Sequence, residues 1–208
     1  FYTDHDGASA IYTHFTSFDV PQPIWTHSGY ALLYAAPALY ITRMIHLGTL
    51  TQKKLYAVAG LSLLESCAFE MIGINSNVYT YWGPHVFRVF DYPIVIGMLE
   101  MAQVMCFAIA AAELRKRVTH PAQLLGLVLL FPATFALANY GGGAALIVGL
   151  HVTDPSELVR YVTTVISMVA ALGLVRIAAA FLPTTEDEQP VDGPAPHTVD
   201  QPTEGITT

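Results

Sequence analysis

The chain has 208 residues, 53% of them hydrophobic and 12% charged, with a formal net charge of −7 and a mean hydropathy of +0.47. A soluble domain carries about 25% charged residues, so this composition excludes a large water-soluble core and argues for a polytopic membrane protein. Six acids and no base fall within residues 183–208, and no basic stripe able to neutralise phosphates occurs anywhere, which excludes nucleic acid as a partner.

Residues 1–23 are polar and aromatic, contain Asp4, Asp6 and Asp19 but no Lys or Arg, and read as an external segment at a membrane surface. The chain starts at Phe1 with neither an initiator Met nor a signal peptide, which points to a helix upstream. The first predicted span covers 24–42. On it His27, Tyr30 and Tyr34 fall within an arc of about 60°, as an aromatic belt or a site wall, and Pro37 introduces a kink. A basic loop with Arg43, His46, Lys53 and Lys54 follows.

The second predicted span, 55–74, carries Glu65 and Glu70. A charged group near the bilayer centre costs roughly 2.5–3.5 kcal/mol on insertion scales, so carboxylates here need a reason. Five residues apart, the two point about 140° away from each other. Glu65 lies roughly 15 Å deep and Glu70 about 7 Å. A polar-aromatic turn comes next, with Asn75, Asn77, Tyr79, Tyr81, Trp82, His85, Arg88 and Asp91. The third span, 92–112, runs back and places Glu100 about 12 Å from the same face, making Glu70 and Glu100 the closer neighbours.

A second basic loop holds Arg115, Lys116, Arg117 and His120. The fourth span starts at Pro121, is interrupted by Pro132 and reaches Asn139–Gly143, where three glycines predict a break or a close backbone approach. The fifth opens at Asp154–Glu157, with Asp154 as cap and Pro155 at the first helical position, and runs to 182. The expected architecture is an all-α transmembrane bundle of about five spans over 24–182, followed by an acidic Pro/Thr-rich tail over 183–208. Seven bases lie on one side and only Arg88 and Arg160 on the other, so the 43–54 and 113–120 loops and the tail are expected in the cytoplasm of a plasma (inner) membrane and the 75–91 turn outside.

Cys67 and Cys106 lie in apolar runs as packing residues, and the eight histidines form no paired ligand motif. No metal and no cofactor is expected. The intramembrane carboxylates are the functional candidates.

The pattern E-x4-E-x4-N-x-N-x-Y-x-Y-W-G-P-H-x-x-R-V-F-D-Y-P from Glu65 to Pro93 resembles the AveC-like spirocyclase family of actinobacterial membrane proteins, as does the later FPATFALANYGGG stretch. The similarity spans residues 30–180, with its most specific part at 75–93. An Asn is common in that family near the position held here by Glu100, so no family role carries to Glu100. The resemblance implies a membrane-embedded cyclase or isomerase acting on a lipophilic polyketide- or terpenoid-like molecule. Glu65 is then the expected general acid and Glu70 the base, with the turn residues and Glu100 around the substrate. The competing reading is a non-catalytic accessory subunit whose tail docks on other membrane proteins, because a Pro/Thr/acid-rich segment orders only on a partner.

Overall fold

Each long apolar run folds as a helix, because a backbone removed from water must close its own hydrogen bonds. The computed structural model describes residues 2–4, 13–17, 20–23, 29, 31–77, 79–81 and 83–185. A π-helical turn at Ala31–Ala35 precedes α1, Ala36–His46. Then come α2, Gln52–Asn75, and α3, Ile94–Arg117. A 3₁₀ turn at Pro121–Leu125 leads into α4, Gly126–Phe135, which continues as a second π-helical segment, Ala136–Gly142. The last two helices are α5, Ala144–His151, and α6, Glu157–Ala179.

Among the described residues four stretches are long and apolar enough to cross a membrane: Gln52–Asn75, Ile94–Arg117, Pro121–Gly142 and Glu157–Ala179. The 24 residues of α2 or α3 rise about 36 Å, more than a hydrocarbon core of about 30 Å. The protein is an all-α membrane bundle. Of the expected first span, residues 24–28 and 30, with His27 and Tyr30, lie outside the described residues. So does the tail from residue 186 onward, and with it the docking surface of the accessory-subunit reading.

The central helix is α3, which packs against α1, α2, α4 and α6. Its buried face includes Val95, Leu99, Ala102, Met105, Ala108 and Ala112. Helix α6 answers with Thr164, Ser167, Ala171, Val175 and Ala178, three or four residues apart, the spacing of one helical face. The buried Ser167 hydroxyl accepts from the Leu146 N–H at 3.0 Å, satisfying an orphan donor in the first turn of α5. The start of α6 differs from expectation. Its cap is Ser156, which accepts from the Val159 N–H at 3.3 Å. Asp154 instead takes a left-handed backbone, φ 49°, and stands in the preceding turn.

The two ends of the bundle differ in chemistry. The Gln52 N–H and Nε2 donate to the carbonyls of Pro183 and Leu182, each at 3.0 Å, which joins the start of α2 to the end of α6. Arg43, Lys53, Lys54, Arg115, Lys116, Arg117 and Arg176 thus gather at one end. The α2–α3 and α5–α6 connections occupy the other.

Six short strands occur among the described residues, three of them in the surface segment where none was expected. Strand β1 (Tyr2–Asp4) pairs antiparallel with β4 (Tyr79–Tyr81), Tyr2 opposite Tyr81. Strands β2 (Thr13–Ser17) and β3 (Val20–Pro23) form a hairpin. So do β5 (Arg88–Val89) and β6 (Tyr92–Pro93). This last hairpin closes through Phe90 and Asp91, both at positive φ, 48° and 61°, the backbone signature of a type I′ turn.

Candidate functional site

The buried residues of α2 recur as Leu55, Ala59, Ser62, Ser66, Glu70 and Ile74, a stripe at helical spacing that faces α3. Ser66 and Glu70 are one turn apart on it. On α3, Ile96, Leu99, Glu100 and Gln103 share a face by the same periodicity. Beyond α2, β4 alternates, so Tyr79 and Tyr81 are both buried on one side of the strand.

These elements converge. The Tyr79 and Tyr81 hydroxyls both donate to Oε2 of Glu70, at 3.0 and 2.9 Å. The Ser66 hydroxyl donates to Oε2 of Glu100 at 2.7 Å, and Tyr34, from the first π-helical turn, is within hydrogen-bonding reach of Glu100. The aromatic rings brace one another edge to face, Tyr79 to Tyr81 with centroids 6.4 Å apart and Tyr81 to Tyr92 at 5.4 Å. The Tyr92 hydroxyl sits in the gap left by Gly97, 3.0 Å from where a Cβ would stand. It lies in the field of Glu100 and Glu70 but makes no hydrogen bond of proper geometry. Burial, reinforced by the Glu100 and Glu70 carboxyls, pushes the Tyr81 phenol well above its ordinary value, so it keeps the proton it donates to Glu70.

Around this cluster lies a cavity of about 750 Å³, within the range of small-molecule sites. Glu70, Glu100, Tyr34, Tyr79, Tyr81 and His85 line one part of it, and Gln103 and Asn139 another. Much of the remaining wall is apolar, with Leu33, Phe69, Leu99, Phe131 and Leu146. No Lys or Arg lines it among the described residues. Both π-helical segments contribute, through Tyr34 and Asn139. Such segments are frequent at functional sites because their widened turn redirects side chains. Pro37 lacks the N–H that would close an α-helical bond onto Leu33, and the chain just before it widens. Among the described residues no three His, Cys, Asp or Glu side chains converge to hold a metal ion.

The structure gathers only part of the predicted set. Glu70, Tyr79, Tyr81, His85 and Glu100 line the cavity. Glu65 does not: it is exposed on the outer face of α2, because the stripe that buries Glu70 turns a residue five positions earlier about 140° away. Asn75, also exposed, donates from Nδ2 to the Met71 and Phe90 carbonyls at 2.8 and 3.3 Å, tying the end of α2 to the hairpin. Asn77 is exposed in the turn at φ 56°. Arg88 braces the loop by donating to the Tyr81 and Gly83 carbonyls at 3.0 and 2.9 Å, and it meets Asp91 only at the backbone carbonyl, 3.4 Å away. Asp91 itself is exposed at the hairpin tip. Trp82 lies outside the described residues.

Sequence reasoning missed Ser66 and Gln103 and gave Tyr34 and Asn139 lesser roles. Gln103 carried a readable signal, standing three residues after Glu100 in an apolar span. Comparison of the chain with protein-family models, with curated proteins and with solved structures gives no match.

Proposed function

We propose that the protein is a membrane-embedded acid/base catalyst that cyclises or isomerises a lipophilic hydroxy-ketone, of the polyketide- or terpenoid-like kind that the spirocyclase resemblance suggests. One observation carries this reading: two carboxyl groups, Glu70 and Glu100, face a single largely apolar cavity and are held by phenol and hydroxyl donors.

In this reading Glu70 is the base. Its Oε2 already accepts from two phenols, which fixes the carboxylate in place for accepting a proton from the attacking hydroxyl. The acid role, first given to Glu65, passes to Glu100, since Glu65 faces away from the cavity. The hydroxyl oxygen bonds to the ketone carbon as its proton goes to Glu70, and the carbonyl π bond breaks as Glu100 protonates the oxygen. The product is a cyclic hemiketal. A second hydroxyl closing on the same carbon expels water and gives a spiroketal, with no change of oxidation state. Phe131, Phe135 and Tyr140 line the cavity while remaining 38%, 39% and 65% exposed, a wall shared with the apolar flank through which a lipophilic substrate arrives. By the distribution of bases, the site end faces outward and the basic end the cytoplasm.

The test uses purified protein in lipid nanodiscs and a long-chain dihydroxy-ketone, with ketone loss followed against empty nanodiscs. Ring closure above the spontaneous rate is expected for the native protein and for Glu65→Gln, with a loss on the order of 10²-fold or more for Glu100→Gln. Closure no faster than in empty nanodiscs, or a loss confined to Glu65→Gln, would overturn the assignment.

A further inference from the structure

Gln103 is fully buried on α3 and lines the cavity. Asn139, on the second π-helical segment, donates from Nδ2 to the Phe135 carbonyl at 3.2 Å and to Oε1 of Gln103 at 3.3 Å. A backbone carbonyl only accepts, so the bond to Phe135 fixes which end of the Asn139 amide faces Gln103. That in turn fixes Gln103, whose Oε1 receives the Asn139 donor. Its Nε2 then carries two N–H donors, is buried, and has no hydrogen-bond partner. Leaving such a group unmatched costs more than a typical hydrogen bond gains, and the more so where no bulk water reaches. A glutamine amide clamped by an asparagine, on a residue that lines the cavity and with its donor end buried and unmatched, is a built recognition element.

We infer that Gln103 Nε2 is a binding subsite for a neutral oxygen acceptor, a ketone or ether oxygen, on an elongated lipophilic ligand of this cavity. The identification of that ligand with the substrate rests on the proposed function. An acceptor is required because Oε1 is already engaged by Asn139. It is neutral because Glu70 and Glu100 line the same cavity and repel an anion, and the basic side chains on that wall among the described residues are the imidazoles of His85 and His151 alone, with no Lys or Arg. Its position follows from the helix: Gln103 stands three residues beyond Glu100, a rise of roughly 4.5 Å on the same face. The ligand therefore carries a second oxygen function displaced along α3 from the reacting one, further from the tyrosine cluster. The subsite sets which way round the ligand enters and which of its oxygens meets the carboxyl pair.

The experiment measures binding, not turnover. Nanodisc-embedded protein is titrated with a long-chain dialkyl ketone, ¹³C-labelled at the carbonyl, and with the alkane of equal length. Infrared spectra report hydrogen bonding at the ketone. The native protein is expected to favour the ketone about tenfold, the worth of one net hydrogen bond, and to shift its carbonyl stretch to lower frequency. Gln103→Met, of similar volume and without the donor, is expected to reduce both the preference and the shift to what Glu100 alone supplies, while remaining folded. Glu65→Gln, off the cavity, is expected to keep both, and because binding is read without turnover the subsite stands even where the catalytic assignment fails. Equal binding of ketone and alkane by the native protein, with an unshifted carbonyl, means that water alone answers Nε2 and overturns the proposal, whether or not the variant folds. A preference surviving intact in Gln103→Met overturns it equally.

Discussion

Glu70→Gln is expected to lower turnover of the hydroxy-ketone by about 10²–10⁴-fold while leaving the bundle folded. Glutamine fills the same volume, and its amide oxygen still accepts from the Tyr79 and Tyr81 hydroxyls, which donate to a single oxygen of Glu70. The phenols therefore stay in place, and only the capacity to take a proton is lost. Thermal unfolding in the same nanodiscs separates this from a folding defect. A variant with native turnover would remove Glu70 from the chemistry, whatever its place in the cavity.

Gly73→Ala is the second large effect. A Cβ at Gly73 falls 2.6 Å from the Tyr79 hydroxyl oxygen and 2.7 Å from two ring carbons, a separation that side-chain atoms do not tolerate. The ring cannot retreat and still reach Glu70, and β4 is held on its other side by β1. The strain and the broken hydrogen bond together are expected to cost about 1–3 kcal/mol of stability, with turnover falling as the Tyr79 hydroxyl leaves Glu70. Gly60 on the same helix is the control, because nothing lies within 4 Å of a Cβ there. Gly60→Ala is expected to be neutral or to stabilise by about 0.5–1 kcal/mol through helix propensity alone. If the two variants behave alike in melting and in rate, the cradle under Tyr79 has no consequence.

The spans were legible because hydropathy and the absence of charge dominate a membrane sequence, and the closer pairing of Glu70 with Glu100 followed from counting residues down two antiparallel helices. The reading of Glu65 as a site residue missed its rotation, for Glu65 is exposed on the outer face of α2 and does not line the cavity. Depth is read from residue number alone, whereas facing depends on which stripe packs, and Ser62, Ser66 and Glu70 decide that only once α3 is in place. Gln103 and Asn139 were invisible as a pair because 36 residues separate them. The strands near the start of the chain escaped too, since β1 has little pattern of its own and pairs with β4 across more than 70 residues.

The second π-helical segment ties part of the site to the number of residues present and not to their kind. Its wide turn, where the Gly143 N–H reaches back five residues to Ala138 at 3.1 Å, holds one residue more than an α-helix of equal rise. Asn139 meets Gln103 because of that surplus. A scan that replaces side chains one by one leaves the surplus intact and passes over it. Deleting Leu137, itself exposed and uninvolved, lets the helix relax to regular pitch and turns Asn139 by about 100° from its partner. That shortened protein is expected to keep its spans and lose the ketone preference, as measured by the same infrared titration.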